Sequence, residues 1–205
     1  MIKVVLFDFD GVLTIDATGS ATITNYLSKT CGIPLEKVKS CYYQYNKQLL
    51  LGELTHRDMW QAFCEDLGQE IAYGVLTDSF RNTELDETMI SLVKQLKERY
   101  LIGMVTDNKA DRIDTILDDR ELRKYFDVVA VSANVHSGKE RPEIFEYVLD
   151  TLKVSAGECV FIDNTEKNLT VPKQMGMETI FYDDANRDYD AFVAKLFSCL
   201  QEQKV

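Results

Sequence analysis

The hydrophobic positions change period several times along the chain, and each change marks an element. Ile2 to Phe7 is a short, apolar run rich in β-branched residues, which suits a strand buried on both faces of a parallel sheet. Between Ile15 and Leu85 no comparable run recurs and the spacing predicts helices instead. One covers residues 18–30 and ends near Gly32 and Pro34; a second covers 35–51 and stops at Gly52. A third starts from Thr55 as N-cap, runs through Leu67 and is closed by Gly68, and a shorter one covers 69–80. From Asp86 to Tyr100, Met89, Leu92, Val93 and Leu96 recur at helical spacing.

Strands are then expected over 101–105, 127–132, 159–163 and 178–182, separated by helices over 110–122, from Pro142 to Leu152, and up to Gly176. Phe192, Leu196 and Leu200 face one way on a closing helix. This alternation predicts an α/β fold with a Rossmann-like parallel sheet core of about five strands and helices on both faces. Residues 1–14 and 86–205 form the core, and 15–85 form an inserted α-helical cap.

Composition narrows the class. The chain has 205 residues and a formal net charge of -11, which opposes non-specific binding to nucleic acid or to an anionic membrane. No stretch is long and apolar enough to span a bilayer, and the N-terminus enters a strand without a basic leader, so a cytoplasmic protein is expected. The five cysteines are widely spaced without a CxxC pair, which fits reduced thiols. His56 and His136, the only histidines, lack metal-ligand spacing and are expected at the surface or in helix caps.

Candidate chemistry collects at the strand ends, where parallel sheets bind ligands. Asp8 and Asp10 follow the first strand and point to one side, with Gly11 permitting the reversal after them. Thr106 ends the second strand, Lys139 lies in the loop after the third, and Asp163 and Asn164 end the fourth. Clustered carboxylates call for a cation, and oxygen ligands suit Mg²⁺. Thr106, Asp107 and Asn108 also compete as caps of the next helix.

Phe7-Asp8-Phe-Asp10-Gly11-Val-Leu, Val105-Thr106-Asp-Asn108, Gly138-Lys139-Glu-Arg-Pro142-Glu-Ile-Phe145 and Val160-Phe-Ile-Asp163-Asn164 together resemble the motifs of the haloacid dehalogenase-like hydrolase superfamily. The resemblance implies that Asp8 is the nucleophile of an aspartyl-phosphate mechanism and Asp10 the general acid and base. It implies that Thr106, Asp107, Asn108 and Lys139 contact the phosphorylated substrate. Mg²⁺ would be held by Asp8, by Asp10 through its main chain, and by the fourth motif. Family members often carry two acids there, whereas this chain has Asp163-Asn164, so Asn164, Asp163 and Glu166 are all open as the last ligand.

The activity implied is that of a phosphatase for a small sugar phosphate or nucleotide. A phosphomutase, a haloacid dehalogenase and a non-catalytic phosphoryl-ligand binder are the alternatives, and oligomeric state is not legible. Specificity is expected in the insert, among Tyr42, Tyr43, Tyr45, Asn46, Lys47, His56, Arg57 and Trp60.

Overall fold

The computed structural model describes residues 1–201. In chain order the elements are β1 (Val4–Phe7), α1 (Gly19–Cys31), α2 (Leu35–Leu50), α3 (His56–Leu67), α4 (Tyr73–Arg81), α5 (Glu87–Leu96), β2 (Leu101–Thr106), α6 (Ala110–Asp119) and β3 (Val128–Val131). There follow α7 (Ser132–Val135), α8 (Glu143–Leu152), β4 (Cys159–Asp163), α9 (Thr170–Gln174), β5 (Glu178–Phe181) and α10 (Tyr189–Gln201). The strands pair in the order β3-β2-β1-β4-β5, all parallel.

The two-residue period of β1 divides the core in two. Val5 and Phe7 join Ile102, Met104, Val160 and Ile162 on the face covered by α5, α6 and α10. Val4 and Leu6 join Val105, Ala130 and Phe161 on the other face, against Ile144, Phe145 and Val148 of α8. Every residue of β1 is fully buried, as a central parallel strand requires.

Several helices differ in length from expectation for local reasons. The helix expected over 110–122 stops at Asp119 because Glu121 turns to φ 51° and lets the Leu122 amide reach the Leu117 carbonyl. The strand expected over 127–132 loses Ser132, which opens α7. Thr55 does cap α3, in a reciprocal box with Asp58, and Gly68 closes it at φ 67°. His56 is a correction: it is buried, with Tyr42 Oη 2.7 Å from Nε2 and Asp111 Oδ1 2.9 Å from Nδ1. A histidine with both ring nitrogens satisfied by partners can enter the core without an unpaired polar atom.

Helices α1–α4 leave and rejoin the sheet through a paired stem. The Ile15 amide donates to the Glu84 carbonyl and the Asp86 amide to the Leu13 carbonyl, both at 3.0 Å. Arg187 braces the stem by donating to the carbonyls of Thr14 and Ile15 and to Asp86. A second junction lies at the end of α2, whose last carbonyls need partners. Ser132 Oγ donates to the Leu50 carbonyl at 2.6 Å, and His136 Nδ1 donates to that of Leu51 at 2.8 Å.

Gly52, at φ 67°, makes this contact possible, since a Cβ there would lie 1.9 Å from the Ala133 carbonyl oxygen. Gly52→Ala is therefore expected to destabilise the chain by about 2 kcal/mol or more, from positive-φ strain plus a backbone clash. Urea unfolding of the variant checks this, and wild-type stability would refute the close approach.

Candidate active site

The C-terminal ends of β1, β2 and β4 surround a cavity of about 250 Å³. Asp8, Asp10, Thr106, Asp107, Lys139 and Asn164 line its sheet side, and Gly19, Ser20, Tyr43 and Asn46 its helical side. A shallower hollow of about 340 Å³ adjoins it across Tyr43, Asn46, Leu50 and Asp107, with Lys47 on its wall.

At the floor, Asp8 Oδ1 accepts from the Phe9 amide at 2.7 Å and lies 2.9 Å from Lys139 Nζ. No hydrogen bond from the described residues reaches Asp8 Oδ2. Burial pushes the Asp8 carboxyl up to about 7, the nearby Lys139 charge opposing this and that of Asp163 adding to it. Lys139 also lies 2.7 Å from Asp163. Burial alone would lower its pKa, but Asp8, Asp163 and Asp107 together outweigh that and hold it above the ordinary lysine value. The ammonium thus stays charged between two carboxylates and fixes Asp8 in place.

Asp163 serves this support. Completely buried, it accepts from Lys139, from the Thr165 amide and from Asn168, which uses up its oxygens. Glu166 is exposed and absent from the cavity wall. Of the three open fourth-motif candidates, Asn164 faces the cavity. A Cβ added at Gly11 would lie 2.2 Å from the Asn164 amide nitrogen and 3.1 Å from Asp184 Oδ2, so Asp184, unforeseen in the sequence, stands beside it.

The Asp10 side chain is held from within the protein. Arg112 grips it with Nη2 2.8 Å from Oδ1 and Nη1 3.0 Å from Oδ2. Oδ2 also accepts from the Gly19 amide at 3.0 Å and from Asn108 Nδ2 at 2.7 Å. Among the described residues Oδ1 takes one bond, from Arg112. Asn108 is buried behind Asp10, bonded to Asp10, Thr106 and Arg112, and is not a cavity contact as expected from its motif. Thr106 and Asp107 do line the cavity, Asp107 accepting from the Lys139 amide.

Arg112 was missed because it stands among Ile113, Ile116 and Leu117 on the apolar face of α6. A charge inside a buried stripe is itself a signal, since such a group enters a core only when paired. In the insert, Tyr43, Asn46 and Lys47 reach the two hollows, whereas Tyr42 and Trp60 are buried. Arg57 stacks on Tyr73, 4.6 Å from its centroid, and Tyr45 donates to Asp66.

The parallel sheet thus presents a lysine-held carboxylate at the end of its central strand. The haloacid dehalogenase-like hydrolase model matches residues 2–176, and the chain belongs to that family of hydrolases. Rat bifunctional epoxide hydrolase 2 is 26% identical over 89% of this chain but 37% of its own, so the chain spans little more than a third of that relative. D-ribitol-5-phosphate phosphatase from Bacteroides thetaiotaomicron is 26% identical over 87% of this chain and 91% of its own. Among solved structures, a family enzyme from the same bacterium in complex with magnesium and inorganic phosphate has a TM-score of 0.75 at 19% identity, covering 94% of this chain and 100% of that one.

No helix among the described residues is long and apolar enough to cross a membrane.

Proposed function

We propose that the chain is a Mg²⁺-dependent phosphatase for a small phosphorylated metabolite, working through an aspartyl-phosphate on Asp8. The observation that carries this reading is the Asp8 carboxylate, with one oxygen locked by Lys139 and Phe9 and the other without a protein partner in the cavity. Asp8 Oδ2 attacks phosphorus and the ester P–O bond breaks while Asp10 Oδ1 delivers a proton to the departing oxygen. Water then gives its proton to Asp10 and attacks the phosphorus, releasing phosphate and regenerating Asp8. Thr106 and Lys139 orient and neutralise the phosphoryl oxygens throughout. The phosphatases among the relatives favour the same chemistry.

The donor set fits Mg²⁺, with less charge than two acids would give. Asp8, the Asp10 main-chain carbonyl and the Asn164 amide oxygen would hold it, and among the described residues no group of three acidic, histidine or cysteine side chains is placed to hold a metal. When bound, Mg²⁺ supplies positive charge between Asp8 and the phosphate, which otherwise repel each other. Asn164→Asp is expected to lower the Mg²⁺ concentration for half-activation at least about tenfold, because one more carboxylate within contact distance of the ion outweighs screening. Release of phosphate from para-nitrophenyl phosphate across a Mg²⁺ titration, with a chelator control, tests both claims. Turnover that survives chelation would remove the metal from the reading, and no turnover at saturating Mg²⁺ on this substrate or a metabolite panel would leave a non-catalytic binder.

A further inference from the structure

Two buried cations, Lys109 and Lys139, line the cavity and a third, Arg112, lies behind Asp10; two of the three are already matched by carboxylates. Arg112 is paired with Asp10, and Lys139 with Asp8 and Asp163. Lys109, 3% exposed, makes no ion pair among the described residues. Its Nζ donates to Ser20 Oγ at 2.6 Å, Ser20 Oγ donates to Asn46 Oδ1 at 2.8 Å, and the Tyr42 ring centroid lies 5.7 Å from the ammonium. All of Lys109, Ser20 and Asn46 line the cavity, Ser20 from α1 and Asn46 from α2.

We propose that Lys109, Ser20 and Asn46 form a second polar subsite, which takes a carboxylate carried by the substrate at the end remote from its phosphoryl group. The direction of the hydrogen-bond chain leaves donors to offer: the remaining N–H groups of Lys109 and the amide nitrogen of Asn46. Two adjacent donors, one of them cationic, complement the two oxygens of a single carboxylate. A phosphate dianion carries more charge than one ammonium balances, and a neutral polyol leaves the ammonium buried and uncompensated. Burial, with the neighbouring Arg112 charge, pushes Lys109 down to about 7, so a bound anion there also restores the charged form. The cavity, at about 250 Å³, limits the substrate to a short carbon chain. The inference rests on the phosphatase reading for where the phosphoryl group sits.

Calorimetry with the whole chain tests it in matched pairs: 3-phosphoglycerate against glycerol 3-phosphate, and 5-phosphoribonate against ribitol 5-phosphate. In at least one pair the acid is expected to bind about tenfold or more tightly than the alcohol, since charge-assisted bonds are about twice as strong as neutral ones. Lys109→Met should bring that ratio close to one, with Lys109→Gln as the second variant if the first fails to fold. Equal binding within both pairs, no detectable binding of either acid, or a preference that survives in the variant would overturn the proposal. A purely structural bridge between the sheet and the helices would weaken both members of a pair alike. Phosphate release from para-nitrophenyl phosphate is measured separately, so a preference in binding without turnover would sink the hydrolase reading and leave the subsite standing.

Discussion

Asp8→Asn is expected to lower phosphate release by about 10⁴-fold or more while the chain stays folded, because an amide oxygen cannot form the acyl phosphate on which the proposed route depends. The change is close to isosteric, so loss of activity would not follow from loss of packing. Lys139 keeps its second partner, Asp163, at 2.7 Å, and is not left as an uncompensated buried charge. The wild-type cluster holds two carboxylates against one ammonium in a site where burial already penalises ionised Asp8. Removing one negative charge should leave the unfolding temperature unchanged or raise it, a familiar cost of function to stability. Phosphate release together with thermal unfolding checks the pair of outcomes. Residual turnover within tenfold of wild type would remove Asp8 from the nucleophile's role, and a large fall in stability would mean that the fold needs the carboxylate.

The sheet was readable because its signals are local. The apolar run before Asp8, the run from Cys159 to Asp163 and the Thr55 and Gly68 caps each depend on a few neighbouring residues, and each element lies where those residues put it. The motif residues at the strand ends were equally legible, and Asp8, Thr106, Asp107, Lys139 and Asn164 meet around one cavity. What the chain did not disclose is who pairs with whom. Asp163 and Asn164 are adjacent in sequence, yet Asp163 pairs with Lys139 at the end of β4 and Asn164, just beyond it, lines the cavity. Asn108 sits two residues beyond Thr106 and is consumed by Asp10. His56 satisfies Tyr42 and Asp111 from separate helices, a partnership visible only after those helices pack. Ser20 and Lys109 meet across 89 residues of sequence, beyond the reach of any local pattern.

Arg112 provides the second large effect. Its two-point grip fixes the Asp10 carboxylate that the proposed route uses as acid and base. Arg112→Met is expected to cost about 3–5 kcal/mol of stability, because Asp10 would remain buried without its counter-charge. Its kcat should fall by about 10²–10³-fold with little change in KM, the size expected when a reacting group is no longer held in line. Arg112→Lys should recover part of the stability and little of the rate, since an ammonium supplies charge without the planar fork. Stability and positioning separate further at Gly19, whose added Cβ would lie 2.3 Å from Arg112 Nη1. Gly19→Ala keeps every charge yet displaces the guanidinium, so it should reproduce the loss in kcat with a smaller loss in stability. If Gly19→Ala and Arg112→Lys both retain wild-type kcat under conditions where each is folded, Arg112 is only a core ion pair. Loss of kcat in both, at unchanged KM, would mean that α6 and the start of α1 jointly aim the acid-base carboxylate.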